Sequence, residues 1–174
     1  ETGSCLDVQN NPGCNFAMVL SHPSGNGNFR VTTRNPAAFD NPYTYVFPGG
    51  DFSDFNQNRG TTEFYGINPE IGTITIMPLN ASSYGTVILS PLDESNIALP
   101  NLPAVRIYGD LITRGSTWES WLSMTWSAGY GVVLPKTVTV NGNLLIQGGS
   151  FIFAFNGATA QSIIIDGDVV VNPG

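Results

Sequence analysis

Val138-Thr139-Val140-Asn141-Gly142-Asn143-Leu144-Leu145-Ile146 decides the fold of this chain, because it recurs. The same nine positions align without a gap on Val105-Arg106-Ile107-Tyr108-Gly109-Asp110-Leu111-Ile112-Thr113 and on Ile163-Ile164-Ile165-Asp166-Gly167-Asp168-Val169-Val170-Val171. The first two copies are also preceded by Leu99-Pro100 or Leu134-Pro135 and followed by Gly115-Ser116 or Gly149-Ser150. Their central glycines are 33 and then 25 residues apart.

Each copy reads as a strand, a Gly-(Asp/Asn) corner and a second strand. A hairpin could use the same turn residues. Two features favour a corner between parallel strands instead. The flanking positions stay apolar with little alternation, as in sheets buried by neighbours. The unit also returns at about the length of one coil, which a hairpin does not require. The expected fold class is therefore all-β, a right-handed parallel β-helix (solenoid) with an N-terminal capping segment.

Outside the copies, Thr62–Tyr65, Gly72–Met77, Thr86–Leu89 and Ser150–Phe155 have strand composition and are bounded by turn residues. No stretch has a convincing helical period. The nearest approach is residues 117–127, where Trp118, Trp121 and Leu122 fit one or two turns or an aromatic-rich loop. The unequal spacing predicts an insertion at 117–131 within coils spanning 61–174. Residues 1–60 lack the repeat and are expected to form a cap or small β head. A β-sandwich split near residue 95 would suit the strand content but leaves the aligned repeat unexplained. The last copy ends close to Gly174, so the chain is expected to be the first part of a longer array.

Charge narrows the partners. Lys and Arg total 6 against 13 Asp and Glu, a net charge of −7, and Lys136 is the single lysine. That leaves no basic patch for nucleic acid or an anionic membrane surface. The apolar runs, such as Ile163–Ile165, are too short to span a bilayer. Charged residues are only 11% of the chain, against about 25% in ordinary soluble domains. Cys5 and Cys14 flank a turn-rich loop suited to a disulfide, which implies an oxidising, extracellular compartment. Glu1-Thr2-Gly3 reads as the remnant of a removed secretion signal, and Asn80-Ala81-Ser82 is a glycosylation sequon in a eukaryotic host.

The phrases Gly60-Thr61-Thr62-Glu63-Phe64-Tyr65-Gly66, Thr86–Leu99 and Lys136–Ile146 resemble β-helical, pectin-lyase-like repeat regions of large Bacteroidetes cell-surface adhesins and type IX-secreted proteins. The resemblance covers about residues 60–174 and implies a bacterial, surface-exposed adhesin or stalk. It supplies no catalytic residues.

Several residue groups invite chemistry. Asp51, Asp54, Asn56 and Asn58 contain an Asp-x-Asn-x-Asn spacing that matches only part of a Ca²⁺ loop: position six is Arg59, and position twelve is Tyr65 where a bidentate Glu belongs. Glu63 would have to bend back to help, so a polar turn is the better expectation and no cofactor is expected. The corner residues Tyr108, Asn141 and Asp166, and Asp110, Asn143 and Asp168, are expected to stack as polar ladders serving backbone groups. Trp118, Trp121, Trp126 and Tyr130 form the densest aromatic group, suited either to covering the core or to contacting a cell-surface glycan or protein ligand.

Catalysis is not expected. His22 is the single histidine, and no Gly-x-Ser-x-Gly elbow accompanies it. A β-helix polysaccharide lyase would need clustered acids beside a cationic base, hard to assemble from so few cations. Asp166 and Asp168 flank a corner, poorly placed for paired glycosidase acids. Two functions remain: a structural or adhesive module, and a carbohydrate-binding or carbohydrate-active β-helix using the tryptophans. Strand edges at an unfinished coil would also invite self-association.

Overall fold

The corner glycines bend the chain so that the strands on either side of each one join different sheets. A computed structural model describes residues 19–20, 27–33, 43–44, 49–50, 52–66, 74–76, 82–91, 96–99, 102–117, 121–123, 136–152 and 161–172. In chain order the elements are β1 (Val19–Leu20), β2 (Asn28–Thr33), β3 (Tyr43–Thr44), β4 (Gly49–Gly50), α1 (Ser53–Gln57), β5 (Thr61–Gly66), β6 (Ile74–Ile76), β7 (Ser83–Tyr84) and β8 (Thr86–Ser90). They continue with β9 (Asn96–Ala98), β10 (Ala104–Ile107), β11 (Leu111–Thr113), β12 (Trp121–Ser123), β13 (Lys136–Val140), β14 (Leu144–Ile146), β15 (Ser150–Ile152), β16 (Gln161–Ile165) and β17 (Val169–Val171).

One rule governs the pairing. Among the described residues every paired strand is parallel to its partner, and the partner is always three places along the chain. The result is a six-stranded sheet ordered β17-β14-β11-β8-β5-β2, a five-stranded sheet β15-β12-β9-β6-β3, a four-stranded sheet β16-β13-β10-β7, and the pair β1-β4. From β5 onward the chain visits the sheets in fixed rotation. The protein is thus all-β in character, with parallel sheets and one short helix among the described residues.

The strands flanking Gly142, β13 and β14, lie in different sheets, as expected of a corner between parallel strands. Two sequence expectations change. Parallel pairing does not begin at residue 61, because β2 pairs with β5 over Asn28–Thr33 and β3 pairs with β6. Finally, within 117–131 the described residues 121–123 are extended and not helical. Trp121–Ser123 forms β12, in register with β9 and β15, so this stretch supplies a strand as well as connecting residues.

The core lies where the sheets face one another. Successive strands place Thr62, Val87, Leu111 and Leu144 in one column of the six-stranded sheet, and Phe64, Leu89 and Thr113 in the next. All seven are buried. Val105 with Val138, and Tyr84 with Ile107 and Val140, form the matching columns of the four-stranded sheet. Ile97 and Leu99 close the core from the third side. Each such aliphatic side chain contributes about 1.5–3 kcal/mol through burial, an upper bound because the unfolded chain is itself partly collapsed.

Among the described residues the largest fully buried side chain is Tyr84, edge-on to Phe64 with ring centroids 5.8 Å apart. Desolvation by burial holds its phenol well above the ordinary tyrosine range. Unfolded, the same phenol ionises near pH 10. Its contribution is therefore complete below about pH 10 and is lost as pH rises from there toward the folded value, by up to about 1.4 kcal/mol per unit. Urea titrations of the native chain should show stability falling above pH 10 more steeply than in Tyr84→Phe. Parallel curves for the two would remove Tyr84 as the cause.

Candidate functional site

The corner between the four-stranded and six-stranded sheets carries the densest polar organisation. Register places Gly27, Gly60, Gly85, Gly109, Gly142 and Gly167 in one column, each immediately before a strand of the six-stranded sheet or its corner residue. The last four are joined directly: Gly109 N donates to Gly85 O at 3.0 Å, Gly142 N to Gly109 O at 2.9 Å, and Gly167 N to Gly142 O at 3.0 Å. Among these four the spacing leaves no room for side chains. A Cβ on Gly142 would stand 2.6 Å from the carbonyl of Gly109, and one on Gly85 would collide with the carbonyl of Gly60.

Beside it runs a second column, Thr86, Asp110, Asn143 and Asp168. Thr86 Oγ1 accepts from Asp110 N at 3.4 Å, Asp110 Oδ1 from Asn143 N at 2.7 Å, and Asn143 Oδ1 from Asp168 N at 2.9 Å. Asn143 Nδ2 also donates to Asp110 Oδ1, and Asn141 Nδ2 donates to Asp166 Oδ2 at 2.6 Å. These side chains do what backbone partners do elsewhere, satisfying amides that the bend takes out of the ladder. The Asp166 carboxylate is accordingly a rung of a polar ladder, and Asp168 joins the second column through its amide.

At its lower end the corner is completed by α1. Phe52 and Phe55 are buried on one face of this short helix, with rings 6.4 Å apart. The helix closes on Arg59, which takes φ 60°, while Arg59 N donates to Asn56 O and Gly60 N to Phe55 O. Those two bonds form a Schellman closure with arginine where glycine is usual. Asn56 projects between strands: its Nδ2 donates to Ser83 O at 3.0 Å and its Oδ1 accepts from Gly85 N at 3.1 Å. No strand pairs with β7 on that side among the described residues, and the Asn56 amide supplies the donor and acceptor a strand would have supplied.

This arrangement accounts for the Asp-x-Asn-x-Asn segment without a cation. Residues 53–57 are helical, so Asp54 and Asn58 share a face while Asn56 lies about 200° from either. Asp54 and Asn58 are exposed, Asn56 is engaged internally, and Asp51 lies outside the described residues. Glu63 does not bend back. It accepts from Arg30 Nε at 2.7 Å and from Ser90 Oγ at 2.9 Å on the outer face of the six-stranded sheet. The Arg30 guanidinium also lies 4.3 Å from the centre of the Tyr65 ring. Among the described residues no group of three or more His, Cys, Asp or Glu side chains is positioned to hold a metal ion.

Of the aromatic group, Trp121 lies in β12, in register with Asn96 and Ser150, while Trp118, Trp126 and Tyr130 lie outside the described residues. Cys5, Cys14, His22 and Asn80 lie outside them as well. No helix among the described residues is long and apolar enough to cross a membrane.

Sequence reasoning placed Asn56 in a polar loop without its role between strands, and missed Thr86 and the three earlier glycines as corner residues. A signal existed, since Gly27-Asn28, Gly60-Thr61 and Gly85-Thr86 repeat the Gly-polar step. Comparison with protein families, with curated proteins and with solved structures finds no match for this chain.

Proposed function

We propose that this chain is a right-handed parallel β-solenoid working as a structural or adhesive module of an extracellular, cell-surface protein, a rigid spacer that acts without catalysis. The observation that carries this reading is the pairing of strands three places apart, always in parallel. A chain that rotates through three sheets and returns beside its own earlier strand is winding, and parallel crossovers wind to the right in nearly all sheets. The described polar side chains support the spacer role. Asp110, Asn141, Asn143, Asp166 and Asn56 are bonded to neighbouring turns, and Arg114 Nε donates to Gln147 Oε1 at 2.9 Å, so the chemistry at the corner is spent on holding turns together.

The resemblance to Bacteroidetes surface adhesins and the Cys5–Cys14 disulfide expected from the sequence both agree with an exported protein. Small-angle scattering tests the shape: a rod with one short cross-section is expected, and a sphere would end the solenoid reading. A glycan array tests the role. The spacer predicts no selective binding. Selective binding that disappears in Trp121→Ala would replace it with a carbohydrate-binding surface along β12, where Trp121 continues a register column instead of closing a loop.

A further inference from the structure

We propose that Asn141-Gly142 is a covalent modification site, a deamidation step that the closed turn withholds and that local opening of the turn releases. The reaction needs only water as co-reactant, whatever the module binds.

Asparagine followed by glycine suits this chemistry, because a residue without Cβ leaves its amide nitrogen least hindered and its backbone freest to rotate. The Gly142 nitrogen attacks Asn141 Cγ, the Cγ–Nδ2 bond breaks, and ammonia leaves with the proton of the Gly142 N–H. The five-membered imide so formed then takes up one water. Opening at Cγ gives aspartate. Opening at the backbone carbonyl gives isoaspartate, whose main chain runs through Cβ and Cγ and is one atom longer. Of the three residues that share this corner position, Tyr108, Asn141 and Asp166, only Asn141 carries an amide to lose.

In the closed turn the reacting atoms are tied to opposite neighbours. Gly142 N donates to Gly109 O at 2.9 Å, so the nucleophile is held by the preceding turn. Asn141 Nδ2 donates to Asp166 Oδ2 at 2.6 Å, so the carboxamide is held by the following one. The backbone between them is pinned as well, since Asn141 N donates to Ile107 O at 2.8 Å. Ring closure therefore has to break the Gly142–Gly109 bond and turn the carboxamide away from Asp166. Once isoaspartate has formed, its extra atom lies between two fixed registers, Val140 on Ile107 and Leu144 on Leu111. A turn that has opened is thereby marked, and the mark resists re-closure.

Peptide mass mapping of the whole chain at neutral pH tests this, with conversion at Asn141 read separately from Asn26-Gly27 and Asn156-Gly157. Deamidation at Asn141 is expected to run at least about tenfold slower in the native chain than in urea, because only open molecules react. Asp110→Ala removes the acceptor of Asn143 N and Nδ2, loosening the turn without touching the reacting atoms. In that variant deamidation and Gly142 amide exchange should quicken together, at least about threefold. Asp110→Asn keeps an acceptor, as Asn143 does for Asp168 N, and should stay within about twofold of the native rate. Native and urea rates that coincide, or faster Gly142 exchange in Asp110→Ala without faster deamidation, overturn the proposal.

Discussion

Gly142→Ala is expected to destabilise the chain by about 3 kcal/mol, far beyond what a glycine-to-alanine exchange costs on an open surface. The added Cβ would stand 2.6 Å from both the carbonyl carbon and oxygen of Gly109 and collide with the Asp110 carboxylate. Neither neighbour is free to retreat. Gly109 O holds Gly142 N at 2.9 Å, and Asp110 Oδ1 holds Asn143 N at 2.7 Å, so relieving the clash breaks both columns at once. At about 2–4 °C per kcal/mol for a chain of this size, the melting temperature should drop roughly 6–12 °C. Gly27→Ala is the matched control, since a Cβ there meets nothing within 4 Å, and it should shift stability by less than about 0.5 kcal/mol. Equal losses in the two variants would mean that close approach between turns is not what selects glycine.

Asn56→Leu should cost a similar amount by a different route. Leucine fills the volume but leaves Ser83 O and Gly85 N without the bonds they now make to the side-chain amide. Each abandoned group costs about 1–3 kcal/mol, giving roughly 2–6 kcal/mol together. Asn58→Leu, two residues along on an exposed face, should be nearly silent. Hydrogen exchange sharpens the comparison: Asn56→Leu should accelerate Gly85 selectively, while Val140 and Val138 in the far turns stay protected. Denaturation midpoints that coincide for Asn56→Leu and the native chain would remove Asn56 from the framework.

The repeat made the later turns legible because three copies share one corner length. The turn before them was hidden by a single residue. Register pairs Tyr84 with Ile107 and Gly85 with Gly109, so the corner that holds Tyr108 between strand and glycine in one turn has nothing between them in the other. An ungapped comparison cannot cross that difference. The strands β9 and β12 are three residues long, too short for alternation to register, and what specifies them is a neighbour 25 to 29 residues away: Asn96 beside Trp121, and Trp121 beside Ser150. Asn56 was ambiguous for a chemical reason. An amide that caps backbone and an amide that ligates a cation present the same letters, and the helix that separates Asp54 from Asn56 depends on burying Phe52 and Phe55.

The corner columns were foreseeable as polar ladders from Asp110, Asn143 and Asp168, and the bonds among them follow that expectation. Their extension down to Thr86 was not, because threonine offers a hydroxyl in place of an amide or carboxylate and reaches Asp110 N only at 3.4 Å.

The rule that partners lie three strands apart has a consequence for how such a chain is made. The paired glycines are separated by 33, 25, 24, 33 and 25 residues, so no contact in the columns asks a segment to search farther than its predecessor. Loop-closure entropy rises only slowly over that range, and every turn meets the same problem as the last. A solenoid of the kind proposed can be assembled in the order it leaves the ribosome, each finished turn acting as a template for the next. Its length is then a quantity that gene duplication can change by whole turns without renegotiating the fold.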